Sequence, residues 1–464
     1  MPVSRADARG CCSSILMPNP LEKLFWNAFT LWHVRLERSL PYWPLSRLMA
    51  LQARRVQAII RHAYQKVPFY REEMDRRGLK PGDFRTAADL AALPLIDGTQ
   101  VARDPDRFLA ANLIHPPGLV LDSSGTSGRS KQIRYDTRAL FCALAKGHRQ
   151  RFALSPFTGG VFGYREMHVV RTSAVATQIR HFYESYSWTP PGVDLTRRYL
   201  SPGDLSFAET VEVINEFRPD VIRGYGSYLG PLFREAHQRK SQIHHPKVIV
   251  YGADAMAEAD RRLIEQEFGI PVSSTYQSVE ALRIGFQCDR RRGFHLSLDM
   301  VAVRVVDDEG QDVAPGGSGH IVVSNLTNRA TVLLNYKLGD VVTRSQGPCD
   351  CGRTLPTIEA IRGRSDDVLR LADGRIMHAL VALEPLRAVP GVMQVQIVQK
   401  GRDRFVLRVV GRPGIDHTET SGALVRALQS KVGNTGHVTV DWVEAIPLGI
   451  NGKVKAVISG LPAE

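Results

Sequence analysis

The chain has 464 residues, of which 43 % are hydrophobic and 23 % are charged, with a net charge of +13. This composition is typical of folded globular proteins and excludes disordered or fibrous chains. The length predicts two or three domains, because single cores stop growing beyond about 300 residues.

The positive charge is scattered in small groups, such as Arg54–Arg55 and Arg290–Arg292, without a long basic tract. This distribution argues against nucleic acid as a partner and favours a small anionic ligand. No run approaches the about 20 apolar residues of a membrane helix, and the N-terminus lacks the apolar core of a signal peptide. We therefore expect a cytoplasmic protein with no membrane partner, as a monomer or homodimer. Residues 1–20 are expected to form a disordered tail, with Met17 as an alternative start.

The N-terminal and central parts of the chain predict an α/β fold. Residues 22–78 carry apolar side chains at helical spacing, and Pro68 is expected to end that pattern. From about 115 to 275, apolar runs such as VIRGYG and VIVYGA alternate with helical stretches such as ETVEVINEF and EADRRLIEQEF. This alternation predicts buried parallel strands joined by crossover helices.

The remaining sequence predicts a strand-rich segment followed by a separate small domain. Residues 294–345 alternate between apolar and polar side chains, as strands with one buried face do. After residue 366, VLRLADGRIM predicts a hairpin that turns at Asp373-Gly374, followed by two strand–helix units. We therefore predict a large domain over 21–361, a hinge over 362–366 and a small α+β domain over 367–464.

Residues 121–135, LDSSGTSGRSKQIRY, predict a loop that binds phosphate. Glycines let the backbone turn its N–H groups inward, the hydroxyls add donors, and Lys131 adds positive charge. The Walker A spacing is absent, and a flexible linker is the alternative interpretation. The candidate phosphate ligands are Ser123, Ser124, Gly125, Thr126, Ser127, Gly128 and Lys131.

Four cysteine and histidine residues form a candidate metal site, Cys288, His295, Cys349 and Cys351. One imidazole and three thiolates suit tetrahedral structural zinc, and Gly352 permits the tight turn after C-x-C. The spacing is not that of common zinc fingers, so free thiols remain the alternative. Cys142 lies in a predicted helix and is expected to be a buried apolar residue.

Ordered motifs along the chain resemble those of the adenylate-forming enzymes, the superfamily of acyl-CoA synthetases, peptide-synthetase adenylation domains and luciferases. After the phosphate loop, these motifs are STYQSVE (274–280), YKLGD (336–340), GRSDD (363–367) and NGKVKAV (451–457). The resemblance is closest to the phenylacetate–CoA ligase branch, including relatives of coenzyme F390 synthetase. Segments 51–74, 224–229 and 349–356 resemble that branch, which also contains similar Cys/His sets.

The resemblance implies a large adenylate-forming domain with a small mobile lid domain. It also implies a reaction in two steps. A carboxylic acid, expected to be aromatic or arylacetic, would attack ATP to give an acyl-adenylate, which passes to CoA. Glu280 would bind Mg²⁺, and Asp340 would accept hydrogen bonds from the ribose hydroxyls. The resemblance places the nucleotide among Gly252, Ala253, Asp254, Tyr276 and Arg364.

The resemblance also assigns roles to one residue of the small domain and one residue of the hinge. Lys453 would bridge the substrate carboxylate and the α-phosphate, and Asp366 would be the hinge for rotation of the small domain. Lys455 would face the opposite way if that segment is extended.

Several positions depart from the family pattern. Gln277 replaces a glycine, Val279 a Ser or Thr, and Leu338 another Thr or Ser; the segment after the hinge is one residue longer than usual. The longer segment after the hinge weakens the expectation of CoA as the acceptor more than that of adenylation. The alternatives are an amine or carrier-protein thiol as acceptor, F390 synthetase-like adenylyl transfer to a hydroxyl, and nucleotide binding without turnover.

Overall fold

The computed structural model describes residues 18–111, 118–123, 131–187, 196–364, 368–412, 414–433, 436–447, 456–459 and 461. Several predicted site residues lie outside these ranges, namely Ser124, Gly125, Thr126, Ser127, Gly128, Asp366 and Lys453.

Helices form the beginning of the described chain: α1 (Pro20–Glu37), α2 (Leu45–Lys66), α3 (Pro68–Arg76) and α4 (Gly98–Arg103). Helix α1 begins with a capping box in which Asn19 and Glu22 satisfy each other's backbone N–H groups. The predicted break at Pro68 is confirmed, because α2 ends at Lys66. Pro68 then starts α3, where its missing N–H donor costs nothing.

The central region alternates strands and helices as predicted. Its elements are β1 (Leu119–Ser123), β2 (Lys131–Tyr135), α5 (Thr137–Thr158), β3 (Glu166–Val169), α6 (Val175–Tyr186), β4 (Arg197–Leu200), α7 (Phe207–Phe217), β5 (Val221–Gly224), α8 (Gly226–Gln238), β6 (Val248–Tyr251), α9 (Glu258–Glu267) and β7 (Val272–Tyr276). Strands β1 and β2 form an antiparallel pair that flanks the predicted phosphate loop. Strands β4, β3, β5, β6 and β7 lie side by side in that order and are parallel.

Antiparallel strands extend this sheet: β8 (Gly285–Phe286), β9 (Phe294–Leu296), β10 (Val301–Val306), β11 (Ser318–Asn325), β12 (Tyr336–Arg344) and β13 (Thr357–Arg364). Within the described residues the sheet has eleven strands, in the order β10-β11-β12-β13-β9-β8-β7-β6-β5-β3-β4. Residues 362–364 of the expected hinge are the end of β13. The sheet thus brings the ends of β7 and β12, which carry two of the sequence motifs, into one domain.

The small domain contains β14 (Val368–Arg370), β15 (Ile376–His378), α10 (Ala379–Arg387), β16 (Val392–Gln399), β17 (Arg404–Gly411), α11 (His417–Val432), β18 (His437–Trp442) and β19 (Val457–Ser459). The hairpin at Asp373-Gly374 is confirmed, with Gly374 at φ +84°. The predicted pair of strand–helix units is wrong. A tight turn, in which Arg404 N–H donates to the Gly401 carbonyl, joins β16 directly to β17 as an antiparallel hairpin.

A buried ion network joins α1 to α5. Arg149 forms two parallel hydrogen bonds to Asp299, at 2.6 and 2.7 Å, and also binds Glu37. Lys146 contacts the same two carboxylates. Both cations and both carboxylates are buried. Because a buried charge is tolerated only when it is paired, this network fixes the N-terminal helix on the large domain.

One arginine links the large and small domains. Arg234 of α8 forms a two-pronged pair with Asp260 of α9, with both N–O distances 2.6 Å. Its Nη1 also donates to the carbonyl oxygens of Val392 and Met393 in β16. The absent side chain of Gly230 leaves room for Asp260, because a Cβ there would lie 2.6 Å from Oδ2.

Among the described helices, none is both long and apolar enough to span a bilayer.

Candidate active site

The Lys131 ammonium group lies between two side chains that are distant in sequence. Strand β2 places Lys131 Nζ 2.9 Å from Glu280 Oε1 and 2.7 Å from the Tyr336 hydroxyl. Tyr336 also donates to Glu280 Oε1, at 3.4 Å. Burial, and then the Glu280 charge, raises the pKa of Tyr336, so that its hydroxyl remains a donor. Lys131, which follows the predicted phosphate loop, therefore meets the STYQSVE and YKLGD motifs.

A second carboxylate of the site belongs to Asp340, on β12. The Tyr276 hydroxyl donates to Asp340 Oδ2 at 2.6 Å, and Arg364 Nη1 lies 3.8 Å from Oδ1. Burial and the Asp340 charge raise the pKa of Tyr276. Because Tyr276 is the last residue of β7 and Asp340 and Arg364 pair across β12 and β13, the main sheet fixes all three.

The segment Gly252–Ala253–Asp254 follows β6 at the same edge of the sheet. Asp254 accepts a hydrogen bond from Gly226 N–H at 2.6 Å and another from the Ser227 hydroxyl, so it caps the start of α8. Gly252 packs against β7, where a Cβ would lie 2.5 Å from Thr275 Oγ1. Ala253 has a positive φ of 67°, which turns the chain away from the strand.

The structure brings Lys131, Tyr276, Glu280, Asp340 and Arg364 together, and they belong to four separate sequence motifs. Ser123 ends β1, immediately before the predicted phosphate-loop residues that lie outside the described ranges. Sequence reasoning missed Tyr336. The signal was its place as the first residue of YKLGD, but its contact with Lys131 spans 205 residues and could not be seen from spacing.

The four Cys and His residues form a compact cluster elsewhere in the large domain. The candidate ligand atoms of Cys288, His295, Cys349 and Cys351 all lie within 4.8 Å of one another. The sulfur atoms of Cys288 and Cys349 are 3.8 Å apart, and Cys351 Sγ lies 3.4 Å from His295 Nε2. Burial lowers the pKa of His295 to about 4, which keeps the ring neutral. Its Nδ1 faces the Leu355 carbonyl at 3.3 Å, so the lone pair lies on Nε2, towards the thiols.

The thiols of this cluster differ in their tendency to ionise. Burial raises the pKa of Cys349 to about 12 and also raises that of Cys288. Burial acts the same way on Cys351, but hydrogen bonds from Arg353 outweigh it and lower the pKa. A bound dication would favour the thiolate at all three positions. Cys142, in contrast, is buried in α5 away from this cluster, as predicted.

Two tyrosines at the start of α8 are used in packing. Tyr225 is buried at the N-terminus of α8. Tyr228 packs against the core beneath the parallel strands, and its hydroxyl lies 3.4 Å from Thr210 Oγ1.

The chain is similar in sequence to a domain family and to several known enzymes. The domain family described as "CapK C-terminal domain" matches residues 369–460. A phenylacetate–coenzyme A ligase of Thermus thermophilus is 28 % identical over 70 % of this chain and 72 % of its own length. One from Aromatoleum evansii is 26 % identical over 90 % of this chain and 95 % of its own length.

Solved structures with a similar fold include CoA ligases and an amide bond synthetase from Marinactinospora thermotolerans, which gives a TM-score of 0.51 at 16 % identity over 73 % of this chain and 67 % of its own. A 2-hydroxyisobutyryl-CoA ligase in the postadenylation state gives a TM-score of 0.71 at 18 % identity, covering 90 % of this chain and 92 % of its own. The same enzyme in complex with an acyl-AMP and CoA gives 0.60 at 19 % identity, covering 90 % and 91 %. These likenesses confirm the predicted α/β fold with a separate C-terminal domain.

Proposed function

Because this chain is a homologue of the phenylacetate–CoA ligases and has the fold of the adenylate-forming CoA ligases, we propose that it is an ATP-dependent acid–thiol ligase. It converts a carboxylic acid and ATP into an acyl-adenylate and pyrophosphate, and then transfers the acyl group to CoA. The single observation that carries the proposal is that the STYQSVE motif contacts both other motifs, through Glu280 to Lys131 and through Tyr276 to Asp340. We further propose an aromatic or arylacetic acid as the substrate, by analogy with the relatives named above.

The arrangement suits the charge that develops during adenylation. Attack of a carboxylate on the α-phosphorus increases negative charge on the phosphate oxygens, so catalysis depends on positioning and neutralising that charge. Lys131 supplies a cation, and the adjacent loop supplies backbone and hydroxyl donors. Asp340 offers carboxylate oxygens to the ribose hydroxyls, and Arg364 holds Asp340 from the opposite side.

Glu280 is the proposed ligand for Mg²⁺. Within the described part of the chain, its contacts with Lys131 and Tyr336 both reach Oε1. The second oxygen, Oε2, can therefore face a cation without either contact being lost. Magnesium prefers a single protein carboxylate of this kind, together with water and substrate phosphates.

The Cys288, His295, Cys349 and Cys351 cluster is proposed to hold structural zinc. Four N and S donors within 4.8 Å of one another, with His295 fixed as the Nε2 donor, suit a closed tetrahedral site. With four protein ligands there is no coordination position for a substrate. The ion would tie the loop before β13 to the strands β8 and β9.

Pyrophosphate exchange tests the proposal most directly. With ATP, Mg²⁺ and a panel of aromatic and aliphatic acids, at least one acid should support exchange of labelled pyrophosphate into ATP. Adding CoA should then yield a thioester. Exchange without a thioester would favour an amine, a hydroxyl or a carrier-protein thiol as acceptor. Nucleotide binding without exchange by any acid would mean that this chain does not adenylate carboxylates.

A further inference from the structure

The outer face of helix α1 is apolar and exposed. Five large side chains on this face are each 57–78 % exposed, namely Leu21, Leu24, Phe25, Leu31 and Trp32. They recur at intervals of three or four residues, so they form one continuous stripe along the helix. A contiguous apolar patch of this kind, exposed on a folded protein, marks an interaction surface.

The inner face of α1 is apolar as well. Trp26 stacks on Phe141 of α5 with ring centroids 4.8 Å apart, and Phe29 packs against the same core. The Asn27 amide donates to the Tyr186 carbonyl of α6 at 3.0 Å. A helix that is apolar all round is normally buried all round. Among the described residues only this inner side of α1 is covered, so a further apolar surface is expected on the outer side.

The exposed stripe is large enough for an interface between two copies of the chain. Taking about 150–250 Å² for a whole aromatic side chain, and slightly less for a leucine, the five side chains expose about 600 Å². Two such faces packed together would bury about 1,200 Å² before the flanking residues are counted, and specific interfaces bury about 1,200–2,000 Å². A two-fold pair needs only one patch, because each copy contributes the same face.

A small residue, Ala28, lies at the centre of the stripe and is exposed. With 3.6 residues per turn, Leu24 and Leu31 lie on one side of Ala28, and Phe25 and Trp32 lie on the other. If Ala28 faces Ala28 of an antiparallel second copy, the two helix axes can approach to about 8–10 Å. Leu24 then lies beside Leu31 of the second copy, and Phe25 beside its Trp32. The stripe is therefore complementary to itself.

The charges of α1 favour antiparallel over parallel pairing. Glu22 is exposed in the first turn, whereas Arg35 and Arg38 are exposed at the C-terminal end. The Arg35 guanidinium lies 5.9 Å from the centre of the Trp32 ring, which places it over the stripe. Antiparallel pairing brings Glu22 of each copy to the basic end of the other and opposes the helix dipoles. Parallel pairing would bring the like charges together.

We propose that the chain forms a two-fold homodimer in which the outer faces of α1 pack antiparallel across Ala28. The buried contacts of Glu37 with Lys146 and Arg149 hold α1 on the large domain. The stripe is therefore fixed in position before the copies meet, which reduces the entropy lost on association. A membrane surface fits α1 less well, because an interfacial helix keeps a polar, basic side towards water.

Sedimentation equilibrium of the full-length protein tests the association. Wild type should have twice the mass of one chain at micromolar concentrations. Ala28→Glu places two like charges opposite each other at the centre of the contact and should raise the dissociation constant at least about 100-fold. Val381→Glu, the control, adds the same charge at an exposed apolar residue of α10 and should remain dimeric. If Ala28→Glu does not fold, Trp32→Ser replaces it and should also weaken association.

Cysteine cross-linking tests the direction of pairing, in a protein whose Cys11 and Cys12 are replaced by serine. Ala28→Cys should form a disulfide between two copies on mild oxidation. Leu21→Cys alone and Arg35→Cys alone should not, because equivalent positions would be about 20 Å apart at 1.5 Å of rise per residue. A mixture of these two variants should cross-link, since Leu21 of one copy faces Arg35 of the other.

The opposite results would overturn the proposal. A wild type that is monomeric at micromolar concentrations would do so. If that monomer binds vesicles of phosphatidylcholine and phosphatidylglycerol and Ala28→Glu does not, the stripe belongs to a membrane instead. A dimer that Ala28→Glu or Trp32→Ser leaves intact would place the contact elsewhere. Self-linking of Leu21→Cys and Arg35→Cys as strong as that of Ala28→Cys would exclude the antiparallel arrangement.

Discussion

The Tyr276 hydroxyl donates a 2.6 Å hydrogen bond to Asp340, joining the last residue of β7 to the middle of β12. This bond occupies Oδ2 of the carboxylate that we assign to the ribose hydroxyls. A ribose hydroxyl that donates to Oδ2 would share that oxygen with Tyr276 or displace the tyrosine hydroxyl from it, whereas one that donates to Oδ1 would not. The phenol and the carboxylate are thus best tested together.

Asp340→Asn should raise the KM for ATP about 10- to 100-fold, because hydrogen bonds to a charged acceptor contribute about 1.5–3 kcal/mol. Pyrophosphate exchange at varied ATP concentration measures the change. Tyr276→Phe is the matched control, since it keeps the ring and the carboxylate and removes only the shared hydrogen bond. Its effect should be several-fold smaller. A loss from Tyr276→Phe equal to that from Asp340→Asn would assign nucleotide binding to the phenol.

Lys453→Ala should reduce adenylation by roughly two to four orders of magnitude, the scale of losing a charge that acts in the transition state. The affinity for ATP should change little. Thioester formation from synthetic acyl-adenylate should be spared, because the small domain is proposed to rotate about Asp366 between the two steps. Lys455→Ala is the control and should resemble wild type. Equal losses in both steps would rule out this assignment of the lysine or the rotation.

Cys349→Ser should abolish zinc binding and lower the free energy of unfolding by several kcal/mol, because the binding energy of a structural ion is also folding energy. Metal analysis of purified protein and urea denaturation measure the two effects. Cys142→Ser, in α5, removes a buried thiol but should retain the zinc. A wild-type protein that contains no zinc and whose cluster thiols are all alkylated in the native state would refute the assignment.

Asp299→Asn should lower the free energy of unfolding at neutral pH by about 3–5 kcal/mol, because it leaves Arg149 buried without full charge compensation. Burial opposes ionisation of Asp299, but the charges of Arg149 and Lys146 outweigh it and hold the pKa well below its usual range. Since the folded pKa is depressed, this stabilisation is complete above the unfolded value of about 4 and is lost as the pH falls below it.

Urea denaturation between pH 7 and pH 2 tests this dependence. The stability difference between wild type and Asp299→Asn should be constant at neutral pH and shrink in acid. Asp308→Asn, at an exposed carboxylate paired with His320, should stay within about 0.5 kcal/mol of wild type. A difference that does not vary with pH would mean that the Asp299 charge does not stabilise the fold.

Sequence patterns within single helices, strands and turns were sufficient to predict much of the fold. VIRG and VIVY are buried strands because uninterrupted apolar runs flanked by helices suit a covered parallel sheet. Pro68 ends a helix and Asp373-Gly374 forms a hairpin turn through properties of those residues alone. The order of elements in the small domain was missed because β16 and β17 pair with each other across a short turn, where a helix was expected.

The contacts within the site were harder to predict. Motif order identified Lys131, Glu280 and Asp340, but not that Lys131 would contact Glu280 directly. The helix cap made by Asp254 and the pairing of Glu37 with Arg149 depend on residues far apart in sequence. Such contacts follow from how the helices and the sheet pack, so they cannot be predicted from the spacing of residues in the sequence.

The hydrogen bonds of Arg234 are divided between the two domains in a way that suits the proposed rotation of the small domain. Its salt bridge with Asp260 lies wholly within the large domain and does not involve β16. Of its hydrogen bonds among the described residues, the two to the Val392 and Met393 carbonyls are those that cross to the small domain. If the domains separated, water would replace Arg234 as the hydrogen-bond donor to those carbonyl oxygens, at a net cost of about 0.5–1.5 kcal/mol for each bond. If the small domain rotates as proposed, Arg234 would remain paired with Asp260 and so be held in position to bind the Val392 and Met393 carbonyls again.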